Sequence, residues 1–184
     1  MWDKSPKLNW IKFNPIYPNL IQLFIYIEFK IIDFGLARRV EMVDGKSHFS
    51  TELVKGSPGF AAPEVSSGQV CNAADIFSLG VLVLATATGL PATHNGERKE
   101  LLRFFVKNTL RDFKERQGDL GALLCSSALA ASSCDWTFPG GAEALRELLD
   151  IGLLCSHDNK RSRPALLSVV PRLKRVLADL KARA

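Results

Sequence analysis

Residues Lys30–Ala37 read KIIDFGLA, an apolar run that ends in Asp33-Phe34-Gly35. A strand ahead of an aspartate fixes the carboxylate, the phenylalanine anchors that strand end in a core, and the glycine lets the backbone turn or flip. The product is a hinged carboxylate at a defined point. A strand-end aspartate also opens an ordinary turn, and the tripeptide alone does not choose between the two. No other constellation competes with it. His48, His94 and His157 are scattered, and Cys71, Cys125, Cys134 and Cys155 form neither a C-x-x-C pair nor a finger-like spacing with histidine. That argues against a zinc site and for four reduced thiols.

Three further stretches follow in order. Residues 56–64 read GSPGFAAPE, residues 75–80 read DIFSLG, and residues 155–164 read CSHDNKRSRP. The first resembles the end of a protein kinase activation segment, where a Gly-Ser/Thr pair precedes Ala-Pro-Glu. The second resembles the Asp-x-Trp-Ser-x-Gly start of the buried central helix of that fold, with Phe77 at the aromatic position. The third resembles the Arg-Pro that closes the lobe. With Asp-Phe-Gly these make four motifs in the right order over roughly residues 29–180. The chain resembles the C-terminal lobe of a protein kinase. Thr88–Ala92 (TGLPA) and the Cys155-to-Arg163 spacing resemble the tyrosine-kinase-like group, nearest the interleukin-1-receptor-associated and Pelle kinases, with plant receptor-like kinases a close second.

The resemblance assigns roles. Asp33 is the Mg²⁺ ligand that bridges the phosphates of ATP, Phe34 the core anchor and Gly35 the hinge. Ser57 matches the hydroxyl residue before the substrate-binding loop, typical of Ser/Thr specificity. Thr51 stands where this group is phosphorylated for activation, with Ser50 and Ser47 weaker candidates; for Ser47 a solvated loop hydroxyl is the better reading. Glu64 pairs with Arg163 as a structural ion pair, and Asp75 caps backbone groups of the catalytic loop.

A kinase also needs a Gly-rich loop, a strand lysine paired with a helix glutamate, and a His-Arg-Asp catalytic loop, all ahead of Asp-Phe-Gly. Residues 1–32 hold none of them, so the expectation is that the N-lobe is absent. Counting back from Asp33 to where the Mg²⁺-binding Asn belongs lands on Leu20, one place from Asn19. In that alignment Asn14 would stand for the catalytic Asp and Ile16 for its partner Lys. An amide cannot accept the substrate proton, so Asn19 reads as coincidence.

These residues need elements to hold them. Residues 1–29 contain no Ala, Gly or Arg, while the rest of the chain carries all 13 glycines. That break divides a poorly ordered arm, 1–28, from a truncated kinase domain, 29–182. An unrelated leader in place of missing exons, from alternative splicing or a mispredicted gene, accounts for it. Residues 20–32 suit one or two strands. The stretch after Asp33, through Asp44-Gly45 and Gly56-Ser57-Pro58-Gly59, reads as a structured loop. Ala73–Thr88 is apolar almost all round and reads as a buried helix ended at Gly89. Buried at its head, Asp75 would lack its partners and leave the fold marginal. Glu97–Lys114 is amphipathic, with Leu102, Phe105, Val106, Leu110 and Phe113 on one face and Arg103, Lys107 and Arg111 elsewhere. Residues 118–140 read as loop with room for one short helix. Leu145, Leu148, Leu149 and Leu153 mark another helix, and a last runs from about Pro164 toward Leu180, kinked or restarted at Pro171. The fold class is mainly α: a kinase-like C-lobe with a short β-strand region before the activation segment.

The composition agrees with one soluble domain. The chain has 184 residues, 47% hydrophobic and 23% charged, with a net charge of +5. The charge is too small to mark a nucleic-acid binder, and the basic residues near the C-terminus read as a solvated helix face. Leu20–Ile32 and Ile76–Leu90 are too short or too polar to span a membrane, and no cleavage site follows the first. The leading functional expectation is a cytoplasmic protein, its parent also at the cytoplasmic face of the plasma membrane, cut from an ATP-dependent Ser/Thr kinase of intracellular signalling. It is inactive alone. The alternative is a non-catalytic, pseudokinase-like scaffold whose 97–114 helix docks kinases, adaptors or substrates. A third reading, far behind, is a basic helical protein unrelated to phosphotransfer.

Overall fold

A computed structural model describes residues 48–50, 57–95, 99–115, 136 and 139–182. The expected strands of residues 20–32 and the arm before them lie outside these residues. Four helices dominate: α1 (Asn72–Thr88), α2 (Leu102–Glu115), α3 (Gly141–Cys155) and α4 (Leu166–Lys181). Two antiparallel hairpin-like pairs flank them. β1 (His48–Ser50) pairs with β2 (Gln69–Cys71) in the register His48↔Cys71, and β3 (Thr93–Asn95) pairs with β4 (Lys99–Leu101) in the register Thr93↔Leu101. A 3-10 turn, Pro63–Ser67, leads into β2.

The centre of the fold is the crossing of α1 and α3. Gly80 and Gly152 face each other there. A Cβ on Gly80 would lie 2.6 Å from the Ser156 nitrogen and 2.7 Å from the Gly152 oxygen, so the backbones meet closer than any larger residue permits. Around that contact α1 buries Ile76, Phe77, Val81, Val83, Leu84 and Ala87, and α3 buries Leu145, Leu149 and Ile151. Leu102 and Val106 of α2, with Val176 and Leu180 of α4, complete the largest apolar cluster. Thr88 ends α1 from within, its hydroxyl donating to the Leu84 carbonyl at 2.8 Å, before Gly89 turns the chain at φ 68°.

Several expectations change in detail. The stretch read as loop contains β1, β2 and the 3-10 turn. The helix read as starting at Glu97 starts at Leu102, because Lys99–Leu101 form β4 instead. α1 is not buried on every side: Leu82 is 53% exposed and Asp75 is exposed at the first turn. The buried, stranded carboxylate expected at Asp75 is therefore not there, and neither is the argument for a marginal fold drawn from it. α4 neither stops nor restarts at Pro171. It runs through the proline, whose missing N–H falls opposite the carbonyl of Leu167, a residue 88% exposed near the start of the helix. Trp136, within the stretch read as loop, is buried and donates its indole N–H to the Ala87 carbonyl at 3.0 Å.

Candidate functional site

The segment Ser57–Glu64 lies against the N-terminal half of α1, held at three points. The Phe60 amide donates to the Ser57 carbonyl at 3.1 Å and closes a turn over Pro58-Gly59. Gly59 has φ 84°, and a Cβ there would sit 2.9 Å from the Ala92 carbonyl carbon, so conformation and space both call for glycine. The Phe60 carbonyl in turn accepts from the Ser78 hydroxyl at 2.8 Å, tying the turn to α1. Phe60 packs on the cluster of Ala62, Ala74, Phe77, Val81 and Ala92. Ser57 itself is exposed, at the open end of this strap.

The third point is an ion pair. Pro63 opens the 3-10 turn, which its fixed φ suits, and places Glu64 in the first turn. Arg163 reaches Glu64 from the loop between α3 and α4 with a two-pronged contact, Nη1–Oε1 2.6 Å and Nη2–Oε2 2.8 Å. The Arg163 side chain is 1% exposed and that of Glu64 11%. The remaining guanidinium protons are also used. Nε donates to the His157 carbonyl at 2.8 Å, Nη1 to Ala73 at 2.8 Å and Nη2 to Asp158 at 3.2 Å. A planar donor fork with every prong occupied is the geometry in which a buried arginine is tolerated. The guanidinium also lies over the Phe77 ring, 5.0 Å from its centroid. The hydrogen bond from Arg163 holds the Glu64 carboxyl below its ordinary value against the opposing effect of burial. Glu64 and Arg163 are 99 positions apart in the chain, and the structure brings them together.

Beside this clamp stands a contact that the sequence did not suggest. Arg103, placed on the polar side of its helix by spacing, turns inward to 11% side-chain exposure and pairs with Asp158 at 2.7 Å. Its guanidinium lies 5.4 Å from the Phe77 centroid and 3.9 Å from that of Phe104. The signal was an arginine bordering an apolar stripe beside an aromatic, where a long side chain can fold back over the core.

Asp33, Phe34, Gly35 and Thr51 lie outside the described residues. Among the described residues no group of three or more His, Cys, Asp or Glu side chains could hold a metal ion, and no helix is long and apolar enough to cross a membrane. Asp75 is not among the hydrogen-bond partners of Arg163, which are Glu64, Ala73, His157 and Asp158.

Comparison with known proteins gives this geometry a setting. The protein kinase domain family matches residues 20–169, beginning upstream of the composition break. A "probable LRR receptor-like serine/threonine-protein kinase" of Arabidopsis thaliana is 34% identical over 149 residues, covering 80% of this chain and 12% of its own length. Cold-responsive protein kinase 1 of the same plant is 33% identical over 153 residues, covering 79% of this chain and 34% of its own. Cysteine-rich receptor-like protein kinase 44, also from Arabidopsis thaliana, is 30% identical over 142 residues, covering 77% and 35%. The chain thus spans between about an eighth and about a third of the curated relatives it matches. These relatives fall in one of the two subgroups that the sequence suggests.

Proposed function

Because the chain belongs to the protein kinase domain family, we propose that it carries the substrate side of a Ser/Thr protein kinase of the receptor-like type. The observation that carries this reading is the fastening of Ser57–Glu64 to α1 by the Ser78 hydrogen bond and the Arg163 fork. A segment that must present a protein hydroxyl to a phosphoryl donor needs a rigid seat, since phosphoryl transfer depends almost wholly on positioning and electrostatic stabilisation. Ser57, exposed at the open end of that seat, suits the selection of Ser/Thr substrates. Asp33 would hold the Mg²⁺ that neutralises the phosphates of ATP, and Thr51 would be the activating phosphorylation site. The α2 face is the surface for kinases, adaptors or protein substrates, and the setting is cytoplasmic.

These 184 residues contain no glycine before Gly35 and no His-Arg-Asp sequence. By themselves they lack the phosphate-covering loop and a base, and they do not transfer phosphate. The experiment is transfer from labelled ATP to Ser, Thr and Tyr peptides by residues 1–184, and by the same residues joined behind the N-lobe and catalytic loop of a related kinase. The reading requires inactivity of the first and Asp33-dependent activity of the second. Incorporation by residues 1–184 above an Asp33→Ala control would overturn the first part, and a folded but inactive joined protein the second.

A further inference from the structure

Arg103 and Arg163 come from different elements, yet they share two intermediaries. The Asp158 side chain takes Nη1 of Arg103 at 2.7 Å while its backbone carbonyl takes Nη2 of Arg163 at 3.2 Å. Phe77 receives both guanidinium groups, at 5.4 and 5.0 Å from its ring centroid. The short loop of His157 and Asp158 is therefore held from one side by α2 and from the other by the clamp, to which His157 adds its own carbonyl at 2.8 Å. Arg103 also contains the one buried side-chain polar atom without a hydrogen-bond partner among the described residues, its Nε. A guanidinium with a buried proton unused is held by the Asp158 contact and the two rings, so its position depends on Asp158 staying where it is. The Asp158 carboxylate is 58% exposed and lines an open groove of about 460 Å³ between α2, α3 and α4, together with Phe104, Lys107 and Leu154. Anything that engages the first turn of α2 from that groove meets this pair before it meets the core.

We propose that Arg103 is a positioning residue: through Asp158 and Phe77 it couples the groove side of α2 to the Glu64–Arg163 clamp, and so sets how firmly Ser57–Glu64 is seated. Loosening the Arg103–Asp158 pair frees the His157–Asp158 loop, removes two of the carbonyls that orient Arg163, and weakens its grip on Glu64. Only the consequence for substrate rests on the kinase reading; the coupling itself is a property of the packing.

Amide hydrogen exchange on the full 184-residue chain tests it without any catalysis, so its failure and that of the kinase reading are separate results. The reporters are the amides of Phe60, Val65 and Gly68, which bond to Ser57, Ala62 and Val65, with Ala182 bonded to Ala178 as a distant control. Arg103→Met keeps the bulk and removes the charge. Asp158→Asn changes an exposed side chain and leaves the core intact, which keeps the test open should Arg103→Met fold poorly. Both variants are expected to speed exchange at the three reporters at least about twofold, the lower end for directly networked residues, while Ala182 stays unchanged. Arg103→Lys, which retains a cation for Asp158, is expected to recover part of the protection. In the background of either variant, Glu64→Gln should then open the segment by a smaller factor than it does alone. Unchanged reporters, an equal rise at every amide, or full additivity with Glu64→Gln would overturn the coupling.

Discussion

Replacing Arg163 with alanine is the severest single change to the clamp. It strands the Glu64 carboxylate, 11% exposed, and takes donors from the carbonyls of Ala73, His157 and Asp158. Removing one partner of a buried pair costs about 3–5 kcal/mol. The lost carbonyl contacts add little for His157 and Asp158, which are exposed and rehydrate, and roughly 1 kcal/mol for Ala73. The expected loss is about 5 kcal/mol, against a total stability of about 5–15 kcal/mol for a domain. At roughly 2–4 °C per kcal/mol, the melting temperature falls by about 10–20 °C. Urea titration followed by circular dichroism measures it. Glu64→Ala is milder, about 3 kcal/mol, because the stranded Arg163 keeps its three carbonyl acceptors. The double variant should lose much less than the sum, since each single change already breaks the same contact. A loss of under about 1 kcal/mol for Arg163→Ala, the range of an exposed pair, would refute the reasoning.

Gly80→Ala places a methyl group 2.6 Å from the Ser156 nitrogen and should cost more than about 3 kcal/mol or abolish folding. Gly152→Ala meets mainly the Leu84 side chain at 2.5 Å and should be the milder of the two, as thermal melts will rank. Glu64 and Glu147 both titrate below their ordinary value, through hydrogen bonds from Arg163 and Arg172. A depressed carboxyl stabilises fully above its unfolded pKa and progressively less as pH falls through the folded one, so stability should drop as the medium is acidified below the ordinary glutamate value of 4.5. Glu64→Gln should flatten that dependence, and a profile identical to the parent's would count against it. Trp136→Phe removes the indole bond to Ala87 and should cost about 1 kcal/mol beyond the change in packing, read by urea midpoint.

What the sequence disclosed was uneven for physical reasons. The Glu64–Arg163 pair was legible only through the resemblance of residues 56–64 and 155–164 to kinase motifs, which implies it, since local spacing says nothing of two side chains 99 positions apart. The core of α1 was legible because its apolar residues are too dense for a surface helix, although Leu82 and Asp75 face outward. The start of α2 was misplaced because charge and periodicity around Glu97–Leu101 suit a helix. The competing signal was Asn95-Gly96, a dipeptide that favours a hairpin, and tertiary pairing of β3 with β4 follows it. The three-residue strands β1 and β2 are too short for an alternation to register. Arg103 escaped notice because spacing assigns a helix face and not the direction in which a long cation folds.

The most direct measurement is phosphoamino-acid analysis of protein substrate treated with labelled ATP and residues 1–184 joined in frame behind the N-lobe and catalytic loop of a related kinase. The account predicts label on Ser and Thr and none on Tyr. It also predicts loss of label with Asp33→Ala, and a sharply raised KM for the protein substrate, at little change for ATP, with Glu64→Gln. Label on Tyr, or an unchanged KM for the protein substrate in Glu64→Gln, would contradict it.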